Sequence, residues 1–324
     1  MKILITGGLG FVGSSLTKYL LSKGFDVVVV DLVMFDNSQL KIFNKYKNFE
    51  FYKKNILDTE FFKILFLKKK FDVVIHLAAI VGDPASKNNP NLTVKTNLIG
   101  SKKFYKLVKK YKIKNFIFFS TCSNYGMSSN SKLLKETSSL KPLSLYAKTK
   151  VDFEKFLIND KSSIKKIILR ISTLYGVSPR MRYDLTINEF TLKCALNKKL
   201  DIYHADTWRP YLNLRDLNIV IIKLLKNLNK MRRINIYNCG FSDENFTKRQ
   251  IINKILECLP RYKNYKFIEK DHFDKRNYRV NFSKIQKIGF KKTITLKNGI
   301  KEIIKYLNIN KKVNHNAKKF YNHK

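Results

Sequence analysis

Lys2-Ile3-Leu4-Ile5-Thr6-Gly7-Gly8-Leu9-Gly10-Phe11-Val12-Gly13 begins as a short apolar strand and runs into glycines spaced as G-x-G-x-x-G, at Gly8, Gly10 and Gly13. The helical pattern of residues 14–23 follows at once, and strand, glycine turn and helix in that order make the spacing meaningful. Glycines let the backbone turn tightly and approach a pyrophosphate, which then sits on the helix N-terminus. A glycine turn that holds no ligand is the alternative, and the strand–turn–helix context weighs against it. A second strand over residues 27–30 ends at Asp31, near the spacing of about 20 residues at which an acidic side chain meets the adenosine ribose. That carboxylate would accept the ribose hydroxyls and repel a 2′-phosphate. No Arg follows at once, so NAD is favoured over NADP. A strand-end turn residue is the duller reading of Asp31.

Outward from this unit, residues 49–52 and 71–77 read as a third and a fourth strand. Ala78 and Ala79 end the latter, small enough for a cofactor to lie against it. Asp58 is a good N-cap for a helix over 59–69. His76, inside the fourth strand, reads as a satisfied core histidine rather than a catalyst. A helical pattern covers 91–111, with further strands at 115–119 and 166–171. Strands alternating with helices predict an α/β fold with a doubly wound parallel sheet. Beyond Gly176 the regularity loosens: a basic turn, Ser178-Pro179-Arg180-Met181-Arg182, precedes a helix near 185–195. Helices are expected at 216–229 and, capped by Thr247, at 248–259, with a strand at 234–237. Arg180, Arg182, Arg209, Arg276 and Arg279 stand out here among the lysines, and Arg suits bidentate phosphate contacts. About half of them are expected to be plain surface residues. The Lys- and Asn-rich tail, 308–324, is expected to fray.

Two stretches carry chemistry. Leu145-Tyr146-Ala147-Lys148-Thr149-Lys150 puts Tyr146 four residues before Lys150, so on a helix both side chains share one face. A phenol titrates near 10 and needs a neighbouring cation to act as a base at neutral pH; Lys150 is placed to supply it. Ser120-Thr121-Cys122-Ser123-Asn124-Tyr125-Gly126 follows an apolar strand, which sets its hydroxyls at the carboxyl edge of the sheet, where open α/β folds bind ligands.

The chain has 324 residues, 44% of them hydrophobic, enough for one large α/β domain with an elaboration or for two domains. No apolar run approaches the ~20 residues of a membrane span, so a cytoplasmic protein without membrane insertion is expected. Cys122, Cys194, Cys239 and Cys258 are scattered without CxxC spacing, which suggests neither a metal site nor a disulfide framework. Lys and Arg number 65 against 24 Asp and Glu, a formal charge of +41. Nucleic-acid binding is the sharp reading of that excess. The lysines are spread along the whole chain, however, together with an excess of Asn, Ile, Phe and Tyr, whereas a binding footprint should be clustered. The reading adopted is that the basicity is compositional and that nucleic acid is no partner.

With these residues in hand the chain resembles an extended short-chain dehydrogenase/reductase, in the branch of NAD-dependent nucleotide-sugar epimerases and dehydratases, over roughly residues 1–307. Thr6-Gly7-x-x-Gly10-x-x-Gly13, His76-Leu77-Ala78-Ala79, Ser120-Thr121 with Tyr125-Gly126, and Tyr146-x-x-x-Lys150 match in order and spacing. The resemblance implies a Rossmann domain over 1–176, rejoined by about 212–240, and a smaller substrate lobe built from 177–211 and 241–307. It implies Thr121, Tyr146 and Lys150 as the catalytic group. It implies NAD contacts at Gly7, Gly10, Phe11, Val12, Gly13, Asp31, Ile56, Leu77, Ala78 and Ala79, with Asn97 ordering the site. Asn55 stands where the family has an acidic residue for the adenine amino group. Asn188, Arg209 and Arg276 match positions that hold the nucleotide diphosphate, and Thr173 replaces a substrate-contacting Asn. Sugar 4,6-dehydratases carry an Asp-Glu pair directly after the catalytic Thr; here Cys122 and Ser123 stand there, so that elimination lacks its acid and base. Cys122 reads as a small packed residue.

The expected activity is oxidation of a nucleoside diphosphate sugar at C4, with Tyr146 as general base, Lys150 on the nicotinamide ribose and Thr121 on the reacting oxygen. Return of the hydride after the keto sugar turns over gives 4-epimerisation; release of the keto sugar gives a dehydrogenase, and the reverse direction a keto-sugar reductase. An RNA-binding protein on a retired dehydrogenase fold is the rival of another class. By analogy with relatives, the helices near 92–111 and 145–158 are expected to pair two copies into a homodimer.

Overall fold

The computed structural model describes residues 1–128, 133–269 and 276–322. Seven parallel strands form the central sheet, in the spatial order Ile234–Cys239, Lys165–Ile171, Asn115–Thr121, Val73–His76, Lys2–Thr6, Asp26–Asp31, Phe49–Lys53. Chain order runs outward in both directions from the first strand, as in a doubly wound Rossmann sheet. Thr6 lies between Val30 on one side and His76 on the other, so the chain reverses its winding between the first and fourth strands. Ligands bind at such a switch point in open α/β sheets. Val27, Val28, Val29 and Val30 are all essentially buried, an unbroken apolar run because helices cover both faces of a parallel sheet.

Two local features prepare the edge of the sheet. Gly7 has φ +77°, and a Cβ there would lie 2.7 Å from the Ala78 nitrogen; a Cβ on Gly13 would lie 2.2 Å from the Gly7 carbonyl oxygen. No side chain fits either place, so the glycine loop packs flat and passes directly into helix Phe11–Ser22. The long helical pattern is interrupted: Pro90–Val94 and Ser101–Lys110 are joined by a widened π turn, Lys95–Gly100. Such turns recur at functional sites because they re-aim one side chain; here Asn97 is turned inward.

The second half contributes its own core. Met181, Tyr183, Ile187, Ile251, Ile255, Ile300 and Ile303 are buried together, where helices Thr186–Ala195, Lys248–Leu256 and Leu296–Ile309 meet. Thr247 caps the second of these with a full capping box to Gln250. The stretch from Trp208 forms a strand, Trp208–Asn213, beside Thr173–Tyr175, and the following helix starts early, at Leu214. The tail departs from the sequence expectation. Its described residues do not fray: Phe320 is buried against Tyr183, whose amide donates to the Phe320 carbonyl oxygen, and the Tyr183 hydroxyl meets His315 Nδ1 at 3.0 Å. A polar composition hid these two anchors. Among the described residues no helix is long and apolar enough to cross a membrane.

His76 is fully enclosed by Phe104, Phe116, Phe118 and Phe153, with Nδ1 2.7 Å from the Thr6 hydroxyl and Nε2 2.9 Å from the Ser101 hydroxyl. Burial, with Lys150 adding, pulls its pKa down to about 3. The unfolded chain therefore binds a proton near pH 6.5 that the folded chain refuses, and stability present above that pH is lost as pH falls toward 3. We expect His76 to steepen the decline below pH 6.5 by about 1.4 kcal/mol per pH unit. Unfolding free energies from urea titrations between pH 7 and 5 should fall more steeply in the wild type than in His76→Asn, the difference approaching that slope toward pH 5; parallel curves would refute it.

Candidate active site

A cleft of about 1730 Å³ opens at the carboxyl edge of the sheet and is shared by both halves of the chain. A drug-sized ligand needs about 300–1,000 Å³, so the cleft has room for two ligands. The glycine loop, with Gly10, Phe11, Val12 and Gly13, forms its floor. The helix that starts there has no side-chain cap and no acidic residue in its first turn, which leaves orphan N–H donors and a positive helix end for an anion. Asp31 closes this end: Oδ2 accepts from the Leu9 amide at 2.9 Å and Oδ1 from the Val33 amide at 2.8 Å. Burial pushes its carboxyl above the usual range, opposed by those amides and by Arg180. The sequence reading found no Arg behind Asp31; the fold brings Arg180 there from the other half of the chain. Loop, uncapped helix end and carboxylate together fit the adenosine diphosphate part of NAD.

Ile56, Leu77, Ala78 and Ala79 line the wall beside it. Asn55 lines it too, with its Oδ1 accepting from the Leu57 amide at 3.0 Å. Asn97 does not reach the cleft. Its amide receives the Ile80 N–H at 2.8 Å, donates to the Ile80 carbonyl oxygen at 2.9 Å and reaches the Thr149 hydroxyl at 3.4 Å. It therefore pins the loop after the fourth strand to the helix that carries Tyr146.

Thr121, Tyr146 and Lys150 all line the cleft. Thr121 ends strand Asn115–Thr121 and its Oγ1 accepts from the Ser123 amide. Tyr146 and Lys150 share one face of helix Leu145–Asn159, capped by Ser144. The Lys150 amine sits 4.8 Å from the Phe118 ring centre and 5.8 Å from that of Tyr146, and donates to the Phe119 carbonyl oxygen at 2.9 Å. Burial pulls it down to about 7, with Glu154 opposing. The Tyr146 phenol is correspondingly not lowered in this state. Burial pushes it above its ordinary value and Asp83 adds to that, while Arg182 and Arg276 pull it back. Cations from the second half of the chain thus act on the phenol.

Behind the turn lies a buried ion pair. Arg170 Nη2 reaches Glu154 Oε2 at 2.8 Å and its Nε reaches the same oxygen at 3.1 Å. Ser120 and Asn124 donate to Glu154 Oε1. Arg170 Nη1 bonds the Tyr125 hydroxyl at 3.1 Å, and that hydroxyl donates to Asn238. The pair therefore joins the Thr121 turn, the Tyr146 helix and the last two strands of the sheet.

At the far end, Arg276 pairs with Asp83 at 3.0 Å and donates to Ser123 Oγ at 3.2 Å. Arg209 stacks on Tyr278, and Arg182 is held by Asp184. Thr173 lines the same region. Asn188 is a correction: it is fully buried, and its amide is committed to the backbone of Gly176 and Arg182. It shapes the loop from behind instead of meeting a diphosphate. Arg279 stacks on Trp208. The thiol of Cys122 donates to the Arg170 carbonyl oxygen, buried in the core. Asp83 and Tyr278 escaped the sequence reading. Gly82-Asp83-Pro84 looks like an ordinary helix start; in the fold Gly82 takes a positive φ (+100°) and Asp83 lines the cleft.

A family model described as the NAD dependent epimerase/dehydratase family matches residues 3–240. The chain is similar to a dTDP-D-glucose 4,6-dehydratase of Dictyostelium discoideum, 29% identical with 93% of this chain and 80% of that protein covered. It is likewise 29% identical to a UDP-glucuronate 4-epimerase of Thermodesulfobacterium geofontis, over 94% of this chain and 95% of that protein. Among solved structures, the UDP-glucose 4-epimerase of Thermotoga maritima with UDP-glucose superposes with a TM-score of 0.84 at 26% identity, covering 95% of this chain and 99% of that one.

Removing one partner of a buried ion pair leaves the other charge uncompensated, at a cost of about 3–5 kcal/mol. Arg170→Met should destabilise the fold by that amount in urea unfolding, and Glu154→Gln added to it should recover part of the loss. A double variant no more stable than the single one would mean that the charge of Glu154 is not the source.

Proposed function

Because the chain belongs to the NAD dependent epimerase/dehydratase family, we propose that it is a nucleotide-sugar 4-epimerase, working on a nucleoside diphosphate sugar with NAD as cofactor. One observation carries the choice within the family. Thr121, Tyr146 and Lys150 share the cleft with the Asp31 loop, while the two positions after Thr121 hold a buried thiol and a hydroxyl, Cys122 and Ser123, and no carboxylate. That set suits oxidation and reduction at one carbon and lacks the following acid–base pair that a 4,6-elimination uses.

Tyr146 takes the proton from the sugar hydroxyl and Thr121 holds the same oxygen. Lys150 anchors the nicotinamide ribose. Bound NAD would supply a reversible hydride acceptor and a positive charge that favours the ionised phenol. Arg209, Arg276 and Arg182 offer guanidinium groups for the sugar's diphosphate, and Thr173 a hydroxyl. Return of the hydride after the keto sugar turns over leaves no net NADH; early release of the keto sugar would make the same residues a 4-dehydrogenase. An intact Thr121, Tyr146 and Lys150 set counts against a retired fold that binds RNA.

A homodimer is part of the same reading. Leu92 and Ile99 are 42% and 44% exposed on the helical segment expected to pair two copies, and Phe156 on the neighbouring helix is only partly covered. Light scattering at micromolar concentration should give twice the 38.1 kDa chain mass; a monomer would count against it.

The function is tested by offering a panel of nucleotide sugars and following NADH absorbance together with sugar products by NMR. A 4-epimer without net NADH is expected; stoichiometric NADH would replace the epimerase with a dehydrogenase. Tyr146→Phe keeps the ring but removes the base, so kcat should fall by about 10²–10⁴ with little change in NAD affinity. The oxidation rate should rise with pH as the phenol ionises, and that limb should vanish in the variant. Near-normal turnover by Tyr146→Phe would mean the proton goes elsewhere.

A further inference from the structure

Of the five arginines that stand out in the sequence of the second half, Arg180 takes a place unlike the others. It is 3% exposed, yet its Nε and Nη2 are buried without a hydrogen-bond partner, and among the described residues it closes no ion pair. Its guanidinium lies over the Phe35 ring, 4.1 Å from the centre, in the loop just past Asp31. Its own backbone is stitched to the glycine-loop helix: the Arg180 amide donates to Ser14 Oγ at 3.2 Å, and Ser178 Oγ donates to the Phe11 carbonyl oxygen at 2.6 Å. The side chain therefore lines the cleft between the uncapped start of helix Phe11–Ser22 and the Asp31 carboxylate.

A buried guanidinium with two unmet donors is costly unless an anion completes it. Nε and Nη2 form the side-on fork that takes two oxygens of one phosphate. Asp31 repels a phosphate on the ribose 2′ position, whereas the helix start attracts one on the 5′ side. We propose that Arg180 is a binding residue for the cofactor's 5′-diphosphate, reaching it from the second half of the chain. The assignment rests on NAD occupying this cleft, and is independent of which sugar is turned over. Burial, with Arg182 adding, pulls the Arg180 pKa down to about 10, which still leaves it charged at neutral pH.

Calorimetric titration of the whole protein with NAD, ADP, adenosine and NADP separates the possibilities without any turnover. Arg180→Met should weaken ADP and NAD by about ten- to a hundredfold, the worth of hydrogen bonds to a charged group, and leave adenosine unchanged. Arg180→Lys should fall between, retaining charge without the fork. Equal loss for adenosine and ADP would reduce Arg180 to a packing residue and overturn the assignment, as would no loss for either. A larger loss for NADP than for NAD would move the contact to the 2′-phosphate and overturn it as well. If wild-type protein binds NAD but converts no nucleotide sugar, the function proposed above fails while this assignment stands.

Discussion

The ion pair between Glu154 and Arg170 holds the site together. Both side chains are buried, and in that setting neither charge can be left alone without a cost of several kcal/mol. The pair is satisfied only when the helix of Tyr146, the turn after Thr121 and strand Lys165–Ile171 are all in place, because Ser120, Asn124 and Tyr125 complete its hydrogen bonds. Folding of the scaffold and positioning of Thr121 and Tyr146 are thus one requirement. A half-satisfied buried network is worse than none, so this arrangement tolerates little drift of Thr121 against Tyr146.

Around that fixed centre the cleft is assembled from two halves with different electrostatic tasks. The first supplies the glycine loop, Asp31 and the Tyr146 helix. The second supplies cations: Arg180 toward Asp31, and Arg182, Arg209 and Arg276 toward the other end. Asp83 faces these and pushes the Tyr146 phenol up while Arg182 and Arg276 pull it down. The shift of this phenol is therefore set across the boundary between the halves. The docked tail crosses the same boundary: Lys319 faces Asp36 at 3.8 Å, and Asn322 donates to Asp184 at 2.9 Å and to the Val81 carbonyl oxygen at 3.3 Å.

Local pattern was a good guide wherever one element decides the matter. The first strand, the glycine turn, the Asp58 and Thr247 caps and the Tyr146-to-Lys150 face depend on spacing within a few residues, and each is present where spacing put it. Asn97 and Asn188 show the limit. Both are asparagines in motif positions, but an amide can bond ligand or backbone equally well, and burial turned both toward backbone. The tail shows the converse, since Phe320 and His315 are too few to mark a polar segment as packed, and their partner Tyr183 lies more than a hundred residues away.

By itself the sequence determined the doubly wound sheet, the nucleotide end of the cleft and the residues offered for proton transfer, because periodicity and short motifs act through the backbone over one or two turns. Tertiary structure decided the rest. Which arginine stands at which end of the cleft, which carboxylate stands beside Tyr146 and in which direction that phenol is shifted depend on charges brought together from distant parts of the chain. Coulomb energy falls with distance in space and takes no account of distance along the sequence.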